Sequence, residues 1–460
     1  MAADLAAKHT DITSYFRKPE KIVYEDFLFA SAIAERDFQE RHPKLAIFYE
    51  YQQESPKTLL KKSEHLLVDK LNRFVQEGYP ITRLRLVRYC LGKDVFDTRN
   101  EEKTVSAEDL MLSNVMGLAL TNPKSKAEID KKKVAKAFPD DCMRHFFWRT
   151  YYEKRNESNA ANEETELLRT SIKPIQTHIA NLIITDSLTV LVGLIILLVL
   201  LARKKLFIPG ADSSDNLIYP KPKSILFSIL SVVYVAVSVS MLCTTIDCVL
   251  RLYIAAPAAS AIRYYLIYPA QLIGIYFFAI KQQGLDIWQG IGLHSTSKSE
   301  TRQLVLEGIA AFFVLSFLSS VTIWISMVLP SPIIEESSLD MLVQSVNRSI
   351  TIPLIIVVAI TGPIVEEAIF RGYLYQILRT KIAQSTAMIL TAALFSASHF
   401  HFNPYTAGHH FLMGLVAVYV FVRTKSLLPA TICHSVWNAT VSISLLAGLC
   451  KYYSVQKVLF

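Results

Sequence analysis

The stretch IITDSLTVLVGLIILLVLLA, residues 183–202, decides the fold of this chain of 460 residues. A helix that crosses a membrane needs about 20 mainly apolar residues, because the hydrocarbon core is about 30 Å thick. Comparable apolar runs follow this stretch along the rest of the chain. The sequence predicts about eight spans, at residues 183–202, 224–247, 262–280, 304–329, 350–378, 385–400, 406–423 and 427–449.

The composition agrees with a membrane protein. Hydrophobic residues make up 52% of the chain and charged residues 19%, which excludes a well-mixed soluble globule and a disordered chain. Residues 1–170 hold 29 Lys and Arg against 28 Asp and Glu, whereas residues 171–460 hold 19 against 12. The positive excess therefore lies in short loops between apolar runs, where Lys and Arg set membrane orientation. We predict a multi-pass integral protein of a bacterial inner membrane or a eukaryotic endomembrane. Its partner is the lipid bilayer, and we expect no nucleic-acid partner.

The fold class that these patterns predict is all-α, a polytopic transmembrane helical bundle with an N-terminal soluble domain. Residues 1–155 mix apolar and charged residues at helical spacing, which favours a soluble, mainly helical domain. Within it, residues 81–89 alternate with period two and could form a strand. We expect a polar linker and membrane approach at 156–182, the transmembrane domain at 183–450 and a short tail at 451–460. The soluble domain could recruit a protein partner.

Ionisable side chains cluster late in the chain, inside apolar segments where such groups are expensive and mark functional sites by default. The first set is Glu366, Glu367 and Arg371. On a helix, Glu367 and Arg371 stand four residues apart on one face and can pair, while Glu366 points about 100° away. An unpaired carboxylate in a low-dielectric site can act as a base. We assign Glu366 as the base and Glu367 as the partner of Arg371, with exchanged roles or a purely structural ion pair as alternatives.

The second and third sets lie on later predicted spans. Phe395 and His399 share one helical face, and so do His434 and Asn438. The His434 and Asn438 pair offers two donors for a developing oxyanion, although a hydrogen bond that joins two helices would use the same residues. His399 could equally be a packing residue. His401, His409 and His410 follow nearby, and we expect them to face lipid headgroups rather than a second metal ion.

Three motifs in this order, Glu-Glu-x-x-x-Arg, Phe-x-x-x-His and His-x-x-x-Asn, resemble the CPBP family of intramembrane endopeptidases, also called the CAAX protease and bacteriocin-processing or Abi family. The likeness covers about residues 350–448 and is closer to bacterial-type members. It implies a catalytic set of Glu366, Glu367, Arg371, His399, His434 and Asn438. In the family's usual account, a Glu and a His activate water for peptide-bond hydrolysis, and a His and an Asn stabilise the oxyanion.

The resemblance leaves the cofactor and the substrate open. Zn²⁺ could be held by Glu366, His399 and His434, but a glutamate base needs no metal, and we expect no required cofactor. The substrate could be a prenylated CAAX-type C-terminus, a leader peptide or another membrane-associated protein. Two other functions use the same residues, namely a non-proteolytic membrane scaffold or immunity factor of the same fold, and a proton-coupled transporter.

Overall fold

The computed structural model describes residues 24–41, 56–72, 79–96, 106–122, 129–138, 141–203, 225–250, 253, 256–284, 298–326, 355–399 and 404–456. Every regular element within these ranges is helical, as the sequence predicts. The chain divides into two compact units, one that contains Lys21–Ile184 and one that contains Thr185–Leu445.

The first unit is built from short helices around an apolar core. Two of its helices begin at a capping residue: Ser106 accepts a hydrogen bond from the Asp109 amide, and Asp130 accepts one from the Lys132 amide. Its elements are α1 Tyr24–Arg41, α2 Pro56–Asn72, α3 Pro80–Cys90, α4 Ala107–Thr121, α5 Lys131–Ala137, α6 Asp141–Lys154 and the first part of α7 Ser158–Ala202.

The strand considered for residues 81–89 is wrong, because these residues form α3. The Asp109 carboxylate accepts the amide hydrogens of Ile81 and Thr82, each at 3.0 Å, and so satisfies the free N–H groups at the start of the helix. The period-two pattern suggested a strand with one polar and one apolar face, but the arginines are buried as well. Their polar ends reach partners within the unit: Arg83 Nε donates to Ala137 O, Arg85 Nη1 to Asn114 Oδ1 and Arg88 Nε to Glu64 Oε1.

The polar linker predicted for residues 156–182 is instead helical from Ser158 onward. Its many charged residues conceal a regular apolar stripe, because the residues that are nearly inaccessible to solvent recur every three, four or seven positions. The stripe consists of Ala161, Leu168, Ile172, Ile175 and Ile179. A short window of polar composition therefore gave the wrong structure, whereas a longer window shows helical spacing.

The second unit contains the predicted spans. Four helices in the described part of the chain are long and apolar enough to cross a membrane, namely Ser158–Ala202, Ile229–Leu250, Glu300–Val321 and Thr406–Thr424. Apolar side chains on their outer surfaces are widely exposed, as expected for contact with lipid. Examples are Leu188, Leu198, Val233, Met241 and Ile309. These observations support a membrane protein, and the total of eight spans stays a prediction.

Three helices lie between α7 and the segment that carries the acidic motif. They are α8 Ile225–Leu250, α9 Ala256–Ile275 and α10 Lys298–Ser326, and α9 continues as a short π-helix, Tyr276–Ile280. The acidic segment is itself interrupted. Its parts are a π-helix Val357–Thr361, α11 Gly362–Glu367, a second π-helix Ala368–Tyr375 and α12 Gln376–Arg379. The fold then ends with α13 Gln384–Ser398, α14 Pro404–Thr424 and α15 Leu427–Gln456.

Helices α13 and α14 approach each other at Gly414. A Cβ atom at this position would lie 2.8 Å from the Cα and 3.0 Å from the Cβ of Ala392, closer than side chains tolerate. The same glycine offers its carbonyl oxygen to Arg371 at 3.2 Å. The absence of a side chain at Gly414 therefore sets both the distance between two helices and the position of a buried charge.

We expect Gly414→Ala to destabilise the protein by about 1–3 kcal/mol, because the added methyl group overpacks a close helix contact. The position of Arg371 should change as well, since the carbonyl group that accepts its hydrogen bond must move with the backbone. Thermal unfolding in detergent measures the first effect. Adding Ala392→Gly removes the methyl at 3.0 Å and should recover part of the stability; equal stability of Gly414→Ala and wild type would contradict the prediction.

Candidate active site

One side of the candidate site is a buried charge network formed by Glu367, Arg371 and His434. Glu367 and Arg371 are both fully buried, and Arg371 Nη1 donates to Glu367 Oε1 at 3.0 Å. The same oxygen lies 2.9 Å from His434 Nδ1. The guanidinium also lies over the Phe395 ring, 4.6 Å from its centroid, where the ring face attracts a cation. Four helical segments thus meet at one ion pair, which orients His434.

Glu366 lies beside this network and faces two imidazole rings. Its Oε2 atom is 3.8 Å from His399 Nε2 and 3.8 Å from His434 Nε2. Both separations exceed the range of about 2.7–3.2 Å for a direct N–H···O bond. The side chain of Glu366 retains 18% of its exposure, in contrast to the fully buried Glu367. The two adjacent glutamates therefore occupy different environments, one sealed and one open to a small extent.

The tautomers of both histidines follow from their partners. His399 Nδ1 lies 2.9 Å from the carbonyl oxygen of Phe395, which can only accept, so Nδ1 carries the hydrogen. His434 Nδ1 likewise faces the Glu367 carboxylate and carries its hydrogen. In the neutral rings, Nε2 of each histidine is then a lone-pair acceptor. Three acceptors, two nitrogens and Glu366 Oε2, point toward one place, and a molecule with two O–H donors suits that arrangement.

Asn438 lies one helical turn beyond His434 and is held by an interrupted helix. Its Nδ2 donates to the carbonyl oxygen of Val358 at 3.0 Å. Val358 lies in the π-helix Val357–Thr361, whose i to i+5 bonding changes the ladder of carbonyl acceptors. The amide is therefore fixed in orientation, with one of its two N–H donors committed to the backbone. Of the six residues predicted for the site, five meet around Glu366 and Glu367, and Asn438 lies at the edge.

The histidines after α13 are not interfacial in the way that the sequence suggested. His409 is buried, with its Nδ1 at 2.9 Å from Ser319 Oγ and its ring against Trp437. His410 stacks on His399 with ring centroids 4.2 Å apart. His401 lies outside the described residues. The expectation that all three face headgroups is therefore wrong for His409 and His410, which pack inside the bundle because helix α14 turns this face inward.

Glu366, His399 and His434, the residues that could hold Zn²⁺, do not form a metal cluster in the described part of the chain. Within the described ranges, no group of three His, Cys, Asp or Glu side chains is arranged to hold one. The Nδ1 atoms of His399 and His434 are engaged by Phe395 and Glu367, which leaves a single carboxylate oxygen and two nitrogens at 3.8 Å from it. No step of the chemistry below is therefore routed through a metal.

One neighbour of Glu366 was not found by sequence reasoning. Tyr268, on α9, packs against Gly362 and interacts with the Glu366 carboxylate. It lies nearly a hundred positions before the acidic motif, so no local spacing could connect the two. The available signal was weaker: three tyrosines, at 264, 265 and 268, lie in a mainly apolar helix.

Comparison with protein families supports the same segment. Residues 348–440, about a fifth of the chain, match the family described as Rce1-like, type II CAAX prenyl endopeptidase Rce1-like. No match is found among curated proteins or among solved structures. The matched range contains all six predicted site residues, which confirms the resemblance to the CPBP family for this part of the chain. It does not extend to Tyr268 or to the first unit.

Proposed function

We propose, with the Rce1-like segment at residues 348–440 as the premise, that the chain is an intramembrane endopeptidase. Its substrate is a membrane-associated protein that carries a prenylated, CAAX-type C-terminus. The family match supports a CAAX protease-like enzyme, and the apolar helices support a membrane location. The further assignment, to a glutamate-type mechanism with named residues, rests on the geometry around Glu366.

The observation that carries the proposal is the position of one oxygen atom. Glu366 Oε2 lies 3.8 Å from the Nε2 atoms of both His399 and His434. Polar groups at this separation can share a single bridging water. Such a water would have one carboxylate and two imidazole acceptors for its two hydrogens, so its oxygen lone pair would be free to face a substrate carbonyl.

In the proposed reaction, one proton passes from water to Glu366 and then from Glu366 to the leaving nitrogen. Glu366, assisted by His399, accepts a proton from water as the water oxygen forms a bond to the carbonyl carbon of the scissile peptide. The second amide N–H of Asn438 donates to the oxyanion, and His434 does so in its protonated form, which carries hydrogens on both Nδ1 and Nε2. The protonated Glu366 then gives its proton to the leaving nitrogen as the C–N bond breaks. Glu367, held by Arg371, keeps His434 in the required orientation throughout.

The decisive experiment places the purified full chain in lipid vesicles with a farnesylated peptide that ends in a CAAX sequence. The same peptide without the lipid is the matched substrate control. Mass spectrometry should detect a new C-terminus for the prenylated peptide and little or none for the control. Absence of any cleavage product would argue for a non-proteolytic scaffold, and equal cleavage of both peptides would contradict the prenyl specificity.

We also propose that the first unit recruits a protein substrate or partner, because the residues of the charge network around Glu366 all belong to the second unit. A chain that begins at Thr185 should cut a short prenylated peptide at about the rate of the full chain. It should cut an intact prenylated protein more slowly, since the recruiting surface is gone. Initial rates with the two substrates measure the difference, and an equal loss for both would contradict this role.

A further inference from the structure

A tyrosine from outside the matched segment packs directly on the helix that carries Glu366. At Gly362, an added Cβ would lie 2.9 Å from Cζ of Tyr268 and 3.0 Å from its hydroxyl oxygen. Contact this close requires a residue without a side chain, so the glycine admits the phenol ring. Gly362 precedes Glu366 by four residues, which places both on one helical face. The ring therefore directs its hydroxyl group along the helix toward the carboxylate.

The Tyr268 hydroxyl lies close enough to the Glu366 carboxylate to act as its hydrogen-bonding partner. A phenol can donate one hydrogen, and a carboxylate can only accept. The other side of the same carboxylate, Oε2, faces His399 and His434 and has no hydrogen-bond partner in the described part of the chain. The carboxylate thus lies between a donor on one side and two imidazoles on the other.

We propose that Tyr268 is a positioning residue of the active site, which donates its hydroxyl hydrogen to Glu366 and fixes the rotation of the carboxylate so that Oε2 faces the two histidines. The inference rests on the proposed peptidase function and adds a further helix, α9, to the site. Gly362 is part of the same arrangement, because any larger residue at this position would displace the Tyr268 ring. A carboxylate that rotated freely would spend only part of its time in the orientation that accepts a proton from water.

Tyr268→Phe tests this role, because the variant keeps the ring against Gly362 and removes only the hydroxyl group. We expect kcat for the farnesylated peptide to fall about tenfold, with KM and the melting temperature unchanged. Tyr265→Phe is the matched control, since it removes a hydroxyl group from the same helix and this hydroxyl does not interact with Glu366 in the described part of the chain. Its kcat should stay within twofold of wild type.

The same substitution made in a Glu366→Asp variant distinguishes a positioning role of the Tyr268 hydroxyl from a packing role of its ring. Glu366→Asp keeps a carboxylate base but withdraws it by one methylene from the Tyr268 hydroxyl, so Tyr268→Phe should lower kcat by less than twofold there. A tenfold loss in both backgrounds, a wild-type kcat for Tyr268→Phe, or a lower melting temperature that accounts for the loss would each overturn the proposal. Failure of the peptidase function itself would look different, because the wild-type chain would then release no product.

Discussion

Glu366→Gln should lower kcat for a prenylated peptide by about three orders of magnitude, the middle of the range for loss of a general base. Gln has nearly the same shape as Glu but cannot accept a proton from water. KM should change little, because the side chain meets the water rather than the prenyl group. Single-turnover cleavage followed by mass spectrometry measures the loss even when the residual rate is very low.

The matched control for this prediction is Glu307→Gln, the same chemical change on α10 of the same unit. Glu307 pairs with Arg423 at 3.9 Å, and both side chains are partly exposed. We expect its kcat to stay within twofold of wild type. A Glu366→Gln variant that still cleaves at a tenth of the wild-type rate would remove Glu366 from the base role. Chelator treatment should leave the wild-type rate unchanged; a loss that Zn²⁺ restores would return a metal to the mechanism.

Arg371→Met is expected to destabilise the protein by about 3–5 kcal/mol, because it leaves the charge of Glu367 buried without its partner. Both side chains are fully inaccessible, so solvent cannot replace the lost interaction. Thermal or denaturant unfolding in detergent measures the change. Arg423→Met breaks the partly exposed pair with Glu307 and should cost about 0–1 kcal/mol. Similar losses for the two variants would contradict the special role of burial.

A combined variant separates stability from function at this ion pair. Glu367→Gln together with Arg371→Met removes both charges, so it should be more stable than Arg371→Met alone. It should remain inactive, because His434 then lacks the carboxylate that holds its Nδ1 hydrogen. A double variant with restored activity would show that the network serves only to stabilise the bundle.

The sequence predicts those parts of the site that depend on local helical spacing. Glu367 and Arg371 stand four residues apart and form the expected pair. The divided environments of Glu366 and Glu367 also follow from their angular separation on a helix. The meeting of His399 and His434 at Glu366 Oε2 required the family resemblance, because single-sequence spacing contains no information on which faces of distant helices come together.

Tertiary contacts explain what the sequence did not predict correctly for α3, for the histidines of α14 and for Tyr268. The arginines of α3 appeared to mark a solvent face, yet each reaches a partner across the first unit and is buried. His409 and His410 looked interfacial because histidines commonly are, but their helix turns them toward Trp437 and His399. Tyr268 could not be found for the same reason. Burial of a polar group depends on the partner that the fold brings to it, and residue type alone does not supply that partner.

The two π-helical interruptions on either side of Glu366 and Glu367 make chain length as restrictive as residue identity in this segment. A π-turn is an α-helix with one additional residue, so deleting a single residue from 357–361 would let the segment relax into regular α-helix. The residues on the two sides of the deletion would keep nearly the same relative orientation, whereas the carbonyl groups within 357–361 would change register. Val358 would lose its register with Asn438 while every motif letter stayed intact, so a homologue with the full motif but one residue fewer there would lack this contact.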